Sequence, residues 1–128
     1  MSHRFALSVY YEDTDMAGVV YHANYLKFIE RARSDSLRDL GLDQEAMRRE
    51  GRVFAVHRIE ADFIAPARFG DSLVVETRRI ALSPARLTLS QVIRRGNKAL
   101  FRANVVIVML DGRGRPQRLP AEIRQTAI

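Results

Sequence analysis

The sequence predicts an α+β fold in which one antiparallel sheet of five strands wraps around one long central helix. Two observations carry this prediction. Apolar residues recur at helical spacing over residues 24–40, and they alternate with period two in one segment before that helix and four after it. A helix with an apolar stripe needs a surface to cover, and a sheet with one apolar face needs a cover. Curling the sheet around the helix satisfies both requirements.

The first strand is predicted over residues 4–11, where Phe5, Leu7 and Val9 share one face. The next segment, residues 12–22, follows neither the helical nor the strand period. We therefore expect an ordered loop between the first strand and the long helix.

The long helix is predicted over residues 24–40, with Asn24 as its N-cap and Gly41 as its stop. A second, short helix is predicted from Asp43 to Gly51. Its acidic residues come early and its basic residues late, which suits the helix dipole.

After the helices, period-two alternation predicts four strands joined as a meander. The dipeptide Gly96-Asn97 predicts a tight hairpin turn, because glycine accepts a positive φ. The tail, residues 111–128, is polar and is expected to be a loosely docked end of a single domain over residues 1–128. The predicted strands are residues 53–64, 72–82, 86–95 and 99–110.

Composition excludes several classes of protein. The 128 residues are 47% hydrophobic and 28% charged, which is ordinary for a globular domain and unlike a disordered chain. The absence of cysteine excludes disulfides, cysteine-bound metals and a catalytic thiol. No segment approaches the roughly 18 apolar residues that span a bilayer. We expect no transmembrane segment, no metal and a cytoplasmic location.

Positive charge is concentrated in the second half of the chain. Residues 1–64 carry 9 basic and 11 acidic residues, whereas residues 65–128 carry 12 basic and 4 acidic ones. Of the 21 basic residues, 19 are arginine, whose planar fork suits phosphate oxygens. This half is either a solvated basic surface or a contact for a nucleotide-bearing ligand, an acidic carrier protein, anionic lipid or nucleic acid.

The densest group of chemically capable side chains lies between the first strand and the long helix. Residues 10–25 contain three carboxylates, a histidine and several tyrosines next to a helix N-terminus. Unpaired N–H groups there can polarise a carbonyl, and a carboxylate beside them can attack it or activate water. These are the parts that hydrolysis of an activated acyl group needs.

Two alternatives explain the same acidic residues. They can cap the helix and solubilise the loop. They can also begin a calcium-binding loop at Asp13, but Ala17 and Val19 stand where further oxygen ligands should follow.

The stretch YYEDTDMAGVVYHANYLKFIERARSD resembles the hotdog-fold acyl-CoA thioesterases of the 4-hydroxybenzoyl-CoA thioesterase superfamily. Within that superfamily it is most similar to the subgroup associated with the Tol-Pal system. The resemblance continues through IEADFIAPARFGD and covers roughly residues 4–110. It implies an enzyme that hydrolyses an acyl-CoA thioester, with a short-chain or related acyl group, to a free acid and coenzyme A.

The resemblance also implies roles for individual residues. Asp15 would be the catalytic nucleophile or general base, and the backbone N–H of His22 would polarise the thioester oxygen. The His22 imidazole would be a second catalytic or orienting group, Tyr11 a third, and Gly18 would line the substrate site. Histidine at this position departs from the aryl-CoA pattern, which argues against an aryl substrate.

An active site between two protomers is implied as well, in a homodimer or homotetramer. The acyl chain would lie in an apolar tunnel near the helix. Coenzyme A would be part of the substrate, with no separate cofactor. Its phosphates would meet basic residues of the second half and its surroundings, for which the candidates are Arg58, Arg68, Arg94 and Arg95.

Other functions remain open at this point. A module that binds an acyl carrier protein or an envelope complex, with little hydrolysis, would also use the basic half. A hotdog dehydratase would share the fold, but the motif sits at the thioesterase position. Nucleic-acid binding is not expected, because no aromatic run accompanies the arginines.

The remaining polar residues are predicted to be structural. Glu12 and Asp13 are expected to order the loop or to face solvent. Glu30 is expected to form helix-face pairs with Arg31 and Arg33. The other two histidines, His3 and His57, have no chemical context.

Overall fold

A computed structural model describes residues 2–125. It contains six strands, three α-helices and one short 3-10 turn over Tyr11–Asp13. The strands are β1 His3–Ser8, β2 Arg52–Phe63, β3 Ser72–Leu82, β4 Arg86–Arg95, β5 Lys98–Asp111 and β6 Pro116–Gln117. The helices are α1 His22–Asp39, α2 Gln44–Arg49 and α3 Ala121–Arg124. Among the described residues, no helix is long and apolar enough to cross a membrane.

All strand pairs are antiparallel, and the long strands lie in the order β1-β3-β4-β5-β2. The predicted α+β fold is confirmed, but the predicted four-strand meander is wrong for β2. That strand pairs with β5 at one edge and not with β3, its successor in sequence. The second edge of β5 carries backbone N–H and C=O groups that need hydrogen-bond partners, and β2 supplies them.

The core lies between α1 and the concave face of the sheet. Tyr25, Phe28, Ile29 and Ala32 are buried on one face of α1, at the spacing of three and four residues that the sequence predicts. On the sheet side they meet fully buried strand residues such as Phe101. Burying these aromatic and aliphatic side chains is the main favourable contribution to folding.

The N-terminus of α1 differs from the prediction. The helix begins at His22, and its N-cap is Tyr21, whose side chain makes no capping hydrogen bond. Asn24 lies inside the first turn, where its Nδ2 donates to the backbone oxygen of Asp13 over 2.9 Å. Its amide therefore holds the preceding loop, which periodicity alone does not reveal.

A polar residue joins the sheet to the middle of α1. Gln91 on β4 is fully buried, and its Nε2 donates over 2.9 Å to both the Ile29 backbone oxygen and Thr77 Oγ1. Arg33 Nη1 donates to Gln91 Oε1 over 3.0 Å. The predicted helix-face pair of Glu30 and Arg33 is therefore wrong, because the guanidinium turns inward to a buried amide.

The C-terminal tail packs more closely than the sequence predicts. Strand β6 pairs with β5, and the Leu119 N–H donates to the Pro84 backbone oxygen over 2.9 Å. Leu119 and Ile123 are buried in the main core. Their apolar side chains dock the segment up to residue 125, and residues 126–128 of the predicted loose tail lie outside the described residues.

Candidate active site

Asp15 lies at the tip of a tight hairpin. Its N–H donates to the Val19 oxygen over 2.9 Å, and its own backbone oxygen accepts from the Gly18 N–H over 3.0 Å. Gly18 has φ +80, as a three-residue hairpin loop requires at this position. Asp15 Oδ1 accepts from the Ala17 N–H over 2.9 Å, and no further hydrogen bond of this carboxylate is found within residues 2–125. One carboxylate oxygen thus remains open to solvent or substrate.

The buried carboxylate of the loop is that of Asp13. Its Oδ2 accepts from the Tyr10 N–H, and its backbone oxygen accepts from the Tyr21 N–H, each over 2.9 Å. These contacts close the loop against the start of α1, so Asp13 orders the loop as predicted. Glu12 is exposed, which also agrees with the prediction.

A second loop, residues 64–71, braces the hairpin from the side. The Val20 N–H donates to the Ala67 oxygen over 2.8 Å, and Val19 forms a bridge with Arg68. Ala67 in turn donates its N–H to Tyr25 Oη over 3.0 Å. The hairpin that carries Asp15 is therefore fixed to both α1 and the second loop.

The start of α1 offers free hydrogen-bond donors. Tyr21 provides no side-chain cap, and the backbone N–H groups of His22 and Ala23 have no backbone partner within the described part of the chain. Such groups carry the partial positive charge of a helix N-terminus. The paired segments 13–15 and 19–21 form a short ribbon, with Asp15 at one end and the helix start at the other.

The side chains of His22 and Tyr11 are both exposed. The His22 ring lies 4.6 Å from the Tyr21 ring and 6.2 Å from the Phe63 ring, measured between centroids. The Tyr11 ring lies 6.4 Å from the Phe69 ring. No hydrogen bond joins Asp15 to His22 in residues 2–125. His22 thus lies beside Phe63 at the end of β2, and Tyr11 lies beside Phe69 of the second loop, without a hydrogen-bonded triad among the described residues.

Sequence reasoning missed an apolar rim around this surface. Large hydrophobic side chains that are normally buried are exposed here, and Met16 at the hairpin tip is the extreme case. An exposed apolar cluster of this kind is typical of a ligand-binding or protein-binding surface. The exposed rim residues are Tyr10, Tyr11, Met16, Tyr21, Phe63, Ile64 and Phe69.

Two of the four predicted phosphate-binding arginines lie on the second loop or contact it. Arg95 Nη1 donates to Asp71 Oδ2 over 2.8 Å, and the Arg68 N–H donates to the same oxygen over 2.8 Å. Desolvation acts to raise the pKa of Asp71, but the hydrogen bonds from Arg68 and Arg95 outweigh it, so this pKa lies below its ordinary value. Asp71 thus stays ionised and holds Arg95 against the loop.

The other two predicted arginines have partners elsewhere. Arg94 Nε lies 2.6 Å from Glu76 Oε1, in an ion pair between neighbouring strands β3 and β4. Arg58 Nη2 lies 3.1 Å from Glu60 Oε1 on the exposed edge strand β2. His57, beside it, falls at the irregularity where the β2–β5 register shifts.

The class of this protein follows from its fold and from its match to a protein family. The chain matches the thioesterase-like superfamily over residues 9–126 and belongs to that family. The predicted hotdog fold and the prediction of a thioester-hydrolysing enzyme are therefore confirmed.

Individual relatives narrow the class. The chain is 38% identical over 122 residues to the acyl-CoA thioester hydrolase YbgC of Escherichia coli, covering 94% of this chain and 91% of the relative. It is 30% identical over 124 residues to ATL3, a chloroplastic acyl-acyl carrier protein thioesterase of Arabidopsis thaliana, covering 95% of this chain and 65% of that one. The crystal structure of a probable thioesterase from Bartonella henselae superposes with a TM-score of 0.90 at 39% identity, covering 94% of this chain and 100% of that one.

Proposed function

We propose that this protein hydrolyses acyl-CoA thioesters to a free acid and coenzyme A, with Asp15 as the reacting carboxylate. The observation that carries the proposal is the hairpin, which holds Asp15 on the same short ribbon that leads into the free N–H groups at the start of α1. A thioester group fits between these two features. The relationship to the Escherichia coli acyl-CoA thioester hydrolase supports the substrate class.

In the proposed mechanism the thioester oxygen accepts a hydrogen bond from the His22 N–H, which stabilises negative charge as it develops on that oxygen. Asp15 then follows one of two routes. It attacks the carbonyl carbon, expelling the coenzyme A thiolate and leaving an acyl anhydride that water hydrolyses. Alternatively it takes a proton from a water molecule, whose oxygen attacks the carbon while the C–S bond breaks and the thiolate is protonated.

The His22 ring and Tyr11 are proposed to line the reacting group. Both are exposed and both lie against aromatic neighbours on the apolar rim, Phe63 and Phe69. A bound acyl-CoA would cover this rim and exclude water from the carbonyl, which strengthens the hydrogen bond to the oxyanion. Gly18 contributes the tight turn rather than a side-chain contact.

For the phosphates of coenzyme A we favour Arg68 and Arg95 over the other candidates. Arg68 adjoins the hairpin through its bridge with Val19, and Arg95 is held against the same loop by Asp71. Arg94 pairs instead with Glu76 on β3, not with a residue of the second loop. A substitution that removes the Arg68 side chain should therefore raise KM more than it lowers kcat.

The working unit is proposed to be a homodimer or homotetramer that pairs through β2. This strand is 12 residues long, lies at a sheet edge and exposes Val53, Val56 and Phe63. A long edge strand with apolar side chains is a template for a second strand. Because Phe63 also lies beside His22, a partner on this edge would close the candidate site.

A second candidate function is action on, or docking of, an acyl carrier protein. The basic second half and the relationship to an Arabidopsis acyl-acyl carrier protein thioesterase favour it. Acyl carrier proteins are acidic, so their capture by this surface should weaken steeply with salt. A location in the cytoplasm and a link to the Tol-Pal system remain part of the proposal.

The central experiment measures thiol release from a panel of acyl-CoAs, starting with short chains, by the wild type and Asp15→Asn. We expect a loss of about 10²-fold or more in kcat/KM. Glu12→Gln is the matched control, because Glu12 is an exposed carboxylate of the same loop. Equal release by wild type and Asp15→Asn would remove Asp15 from the chemistry.

A single turnover in ¹⁸O-labelled water separates the two routes. If Asp15 is the nucleophile, water can attack the anhydride at the Asp15 carbon, so part of the first product acid carries unlabelled oxygen from the protein. If Asp15 is a general base, the acid carries the label from the first turnover. Unlabelled acid in the first turnover, detected by mass spectrometry, therefore identifies Asp15 as the nucleophile.

A further inference from the structure

A cavity lies far from the candidate active site. Its volume is about 170 Å³, and it is lined by the C-terminal half of α1, the starts of α2 and β2, strands β3 to β5 and α3. Its apolar lining includes Leu37, Phe54, Leu87, Ile107 and Ile123. Leu37 lies fifteen residues beyond His22 along α1, or about 20 Å at the rise of an α-helix. The proposed thioester chemistry uses none of these residues.

The Arg33 guanidinium in the lining has no ion-pair partner among the described residues. Arg33 is partly buried, and its Nη1 donates only to the neutral amide oxygen of Gln91. No carboxylate oxygen lies within 4.0 Å of it in residues 2–125. Burial lowers the pKa of Arg33, and the charge of Glu30 only partly offsets this effect. A guanidinium is nevertheless always protonated, so a positive charge faces an apolar space.

The rest of the lining adds to this positive charge. Arg79 also lines the cavity, and its Nη1 donates to the Ile123 backbone oxygen over 3.3 Å, again with no ion pair among the described residues. The one carboxylate in the lining is Glu30, which is exposed and accepts from Ser34 Oγ over 3.1 Å. The lining therefore carries two cations and one anion around an apolar interior.

We propose that this cavity binds a small apolar carboxylic acid in its ionised form, with the carboxylate on Arg33 and the hydrocarbon among the leucine, isoleucine and phenylalanine side chains. The planar guanidinium fork matches a carboxylate, and Arg79 adds positive potential. The volume is close to that of a cavity of about 150 Å³ that accommodates benzene. It therefore suits an acid of about six to eight carbons, such as hexanoate or benzoate.

The proposal is independent of the proposed active site. It requires neither Asp15 nor the hairpin, and it concerns binding and not turnover. A neutral molecule of the same shape would leave the buried guanidinium without a counter-charge. A primary ammonium would add a third cation to the lining. Preference for the anion over its neutral and cationic analogues is thus the property that distinguishes this site from an ordinary apolar cavity.

The test is a titration with hexanoate, 1-hexanol and hexylamine. Binding is monitored by calorimetry and by the NMR methyl resonances of Leu87 and Ile123. Hexanoate should bind at least tenfold more tightly than either analogue. Arg33→Met, which keeps the aliphatic stem, should weaken hexanoate at least tenfold and leave 1-hexanol within twofold. The matched control is Arg31→Met, because Arg31 lies on the exposed face of α1 over Phe28 and should bind hexanoate as the wild type does.

Further variants keep the proposal open to contradiction if Arg33→Met does not fold. Arg33→Lys keeps the charge and loses the fork, so it should fold and bind hexanoate with intermediate affinity. Arg79→Met should weaken hexanoate severalfold. Asp15→Asn should bind hexanoate unchanged, whatever its activity. Equal affinity for hexanoate and 1-hexanol, binding unaffected by both arginine changes, or shifts at His22 in place of Ile123 would each overturn the proposal.

Discussion

The hydroxyl of Tyr25 accepts a hydrogen bond from the Ala67 N–H over 3.0 Å, inside the protein and across 42 positions of sequence. The Ala67 oxygen accepts from the Val20 N–H on its other side. One tyrosine of the central helix thus holds the loop that braces the Asp15 hairpin. Tyr25 therefore positions this loop and takes no part in the proposed reaction.

Tyr25→Phe should loosen the hairpin without disturbing the core. The phenylalanine ring keeps its stacking on Phe101, now at 5.2 Å between centroids, but leaves the buried Ala67 N–H without an acceptor. We expect a loss of about 1–3 kcal/mol in the free energy of unfolding, together with a fall in kcat. Urea unfolding and thiol release measure these two effects.

The control for that change is Tyr10→Phe, because Tyr10 is largely exposed. Its free energy of unfolding should stay within about 0.5 kcal/mol of the wild type. Equal stability and activity of Tyr25→Phe and Tyr10→Phe would show that the Tyr25 hydroxyl does not hold the loop.

Gly18→Ala should strain the hairpin through its backbone alone. Gly18 has φ +80, and a Cβ built there meets nothing within 4 Å, so the cost is conformational and not a clash. We expect about 1–2 kcal/mol of destabilisation and a marked loss of activity as Asp15 moves. Gly112→Ala is the matched control, since Gly112 has an equally open surrounding and lacks a positive φ. A Gly18→Ala enzyme with full activity would contradict the proposed role of the turn.

Gln91→Leu should weaken the contact between sheet and helix. It removes the acceptor of Arg33 and the donor to Ile29 and Thr77, all in the protein interior. We expect a loss of about 2–3 kcal/mol, measured by chemical denaturation. Ser90→Ala, at the adjoining half-buried position of β4, should change stability by less than about 0.5 kcal/mol. Equal losses in the two variants would show that the buried network is not special.

Glu76 should make folding more stable at neutral than at acidic pH. Its side chain accepts from Arg94 and Arg4, and the hydrogen bond from Arg94 is the largest cause that holds its pKa below the ordinary value. The carboxylate thus stabilises the fold above the unfolded-state pKa of about 4.3. That contribution is lost as the pH falls through the lower folded-state pKa.

Urea unfolding of the wild type and Glu76→Gln between pH 7 and pH 2 tests this. The difference in free energy of unfolding should be constant near neutrality and shrink below about pH 4. Glu60→Gln is the control, because the Glu60–Arg58 pair is mostly exposed and should contribute little at any pH. A Glu76 difference that persists unchanged at pH 2 would contradict the assignment.

Val56→Lys should disrupt the proposed assembly. Val56 is 44% exposed on the edge strand β2, and a charge there opposes pairing with a second copy. Light scattering should report a monomer, with thiol release reduced in parallel. Ile80→Lys is the control, because Ile80 is 52% exposed on β3, a strand with neighbours on both sides. A Val56→Lys protein that remains oligomeric and active would remove β2 from the interface.

Local patterns predict local structure well in this chain. The bounds of β3 and β4 agree with the sequence, and the Gly96 turn has the expected positive φ of +61. The position of β2 depended on β5, whose paired residues lie 38 (Phe63 and Phe101) to 59 (Arg52 and Asp111) positions away, and periodicity does not encode such a pairing. Arg33 and Gln91 are 58 residues apart in sequence. Helix spacing could therefore pair Arg33 only with a nearby residue of α1, Glu30.

The candidate site was predictable only in part for the same reason. The loop and its three predicted residues followed from one contiguous motif, and all three side chains are exposed in the structure. The aromatic rim did not follow, because Phe63 and Phe69 read as ordinary strand and turn residues. Their exposure depends on the tertiary fold, which a local sequence pattern does not determine, and on the surface that a second copy of the chain would cover.

The C-terminal helix α3 has a consequence for anyone who handles this protein. Ile123 lines the cavity, and the Leu119 N–H donates a hydrogen bond to the Pro84 oxygen. Removing the residues after Gln117 would expose apolar side chains of the core to solvent. The shortened protein would therefore aggregate more readily and be less soluble than the full chain.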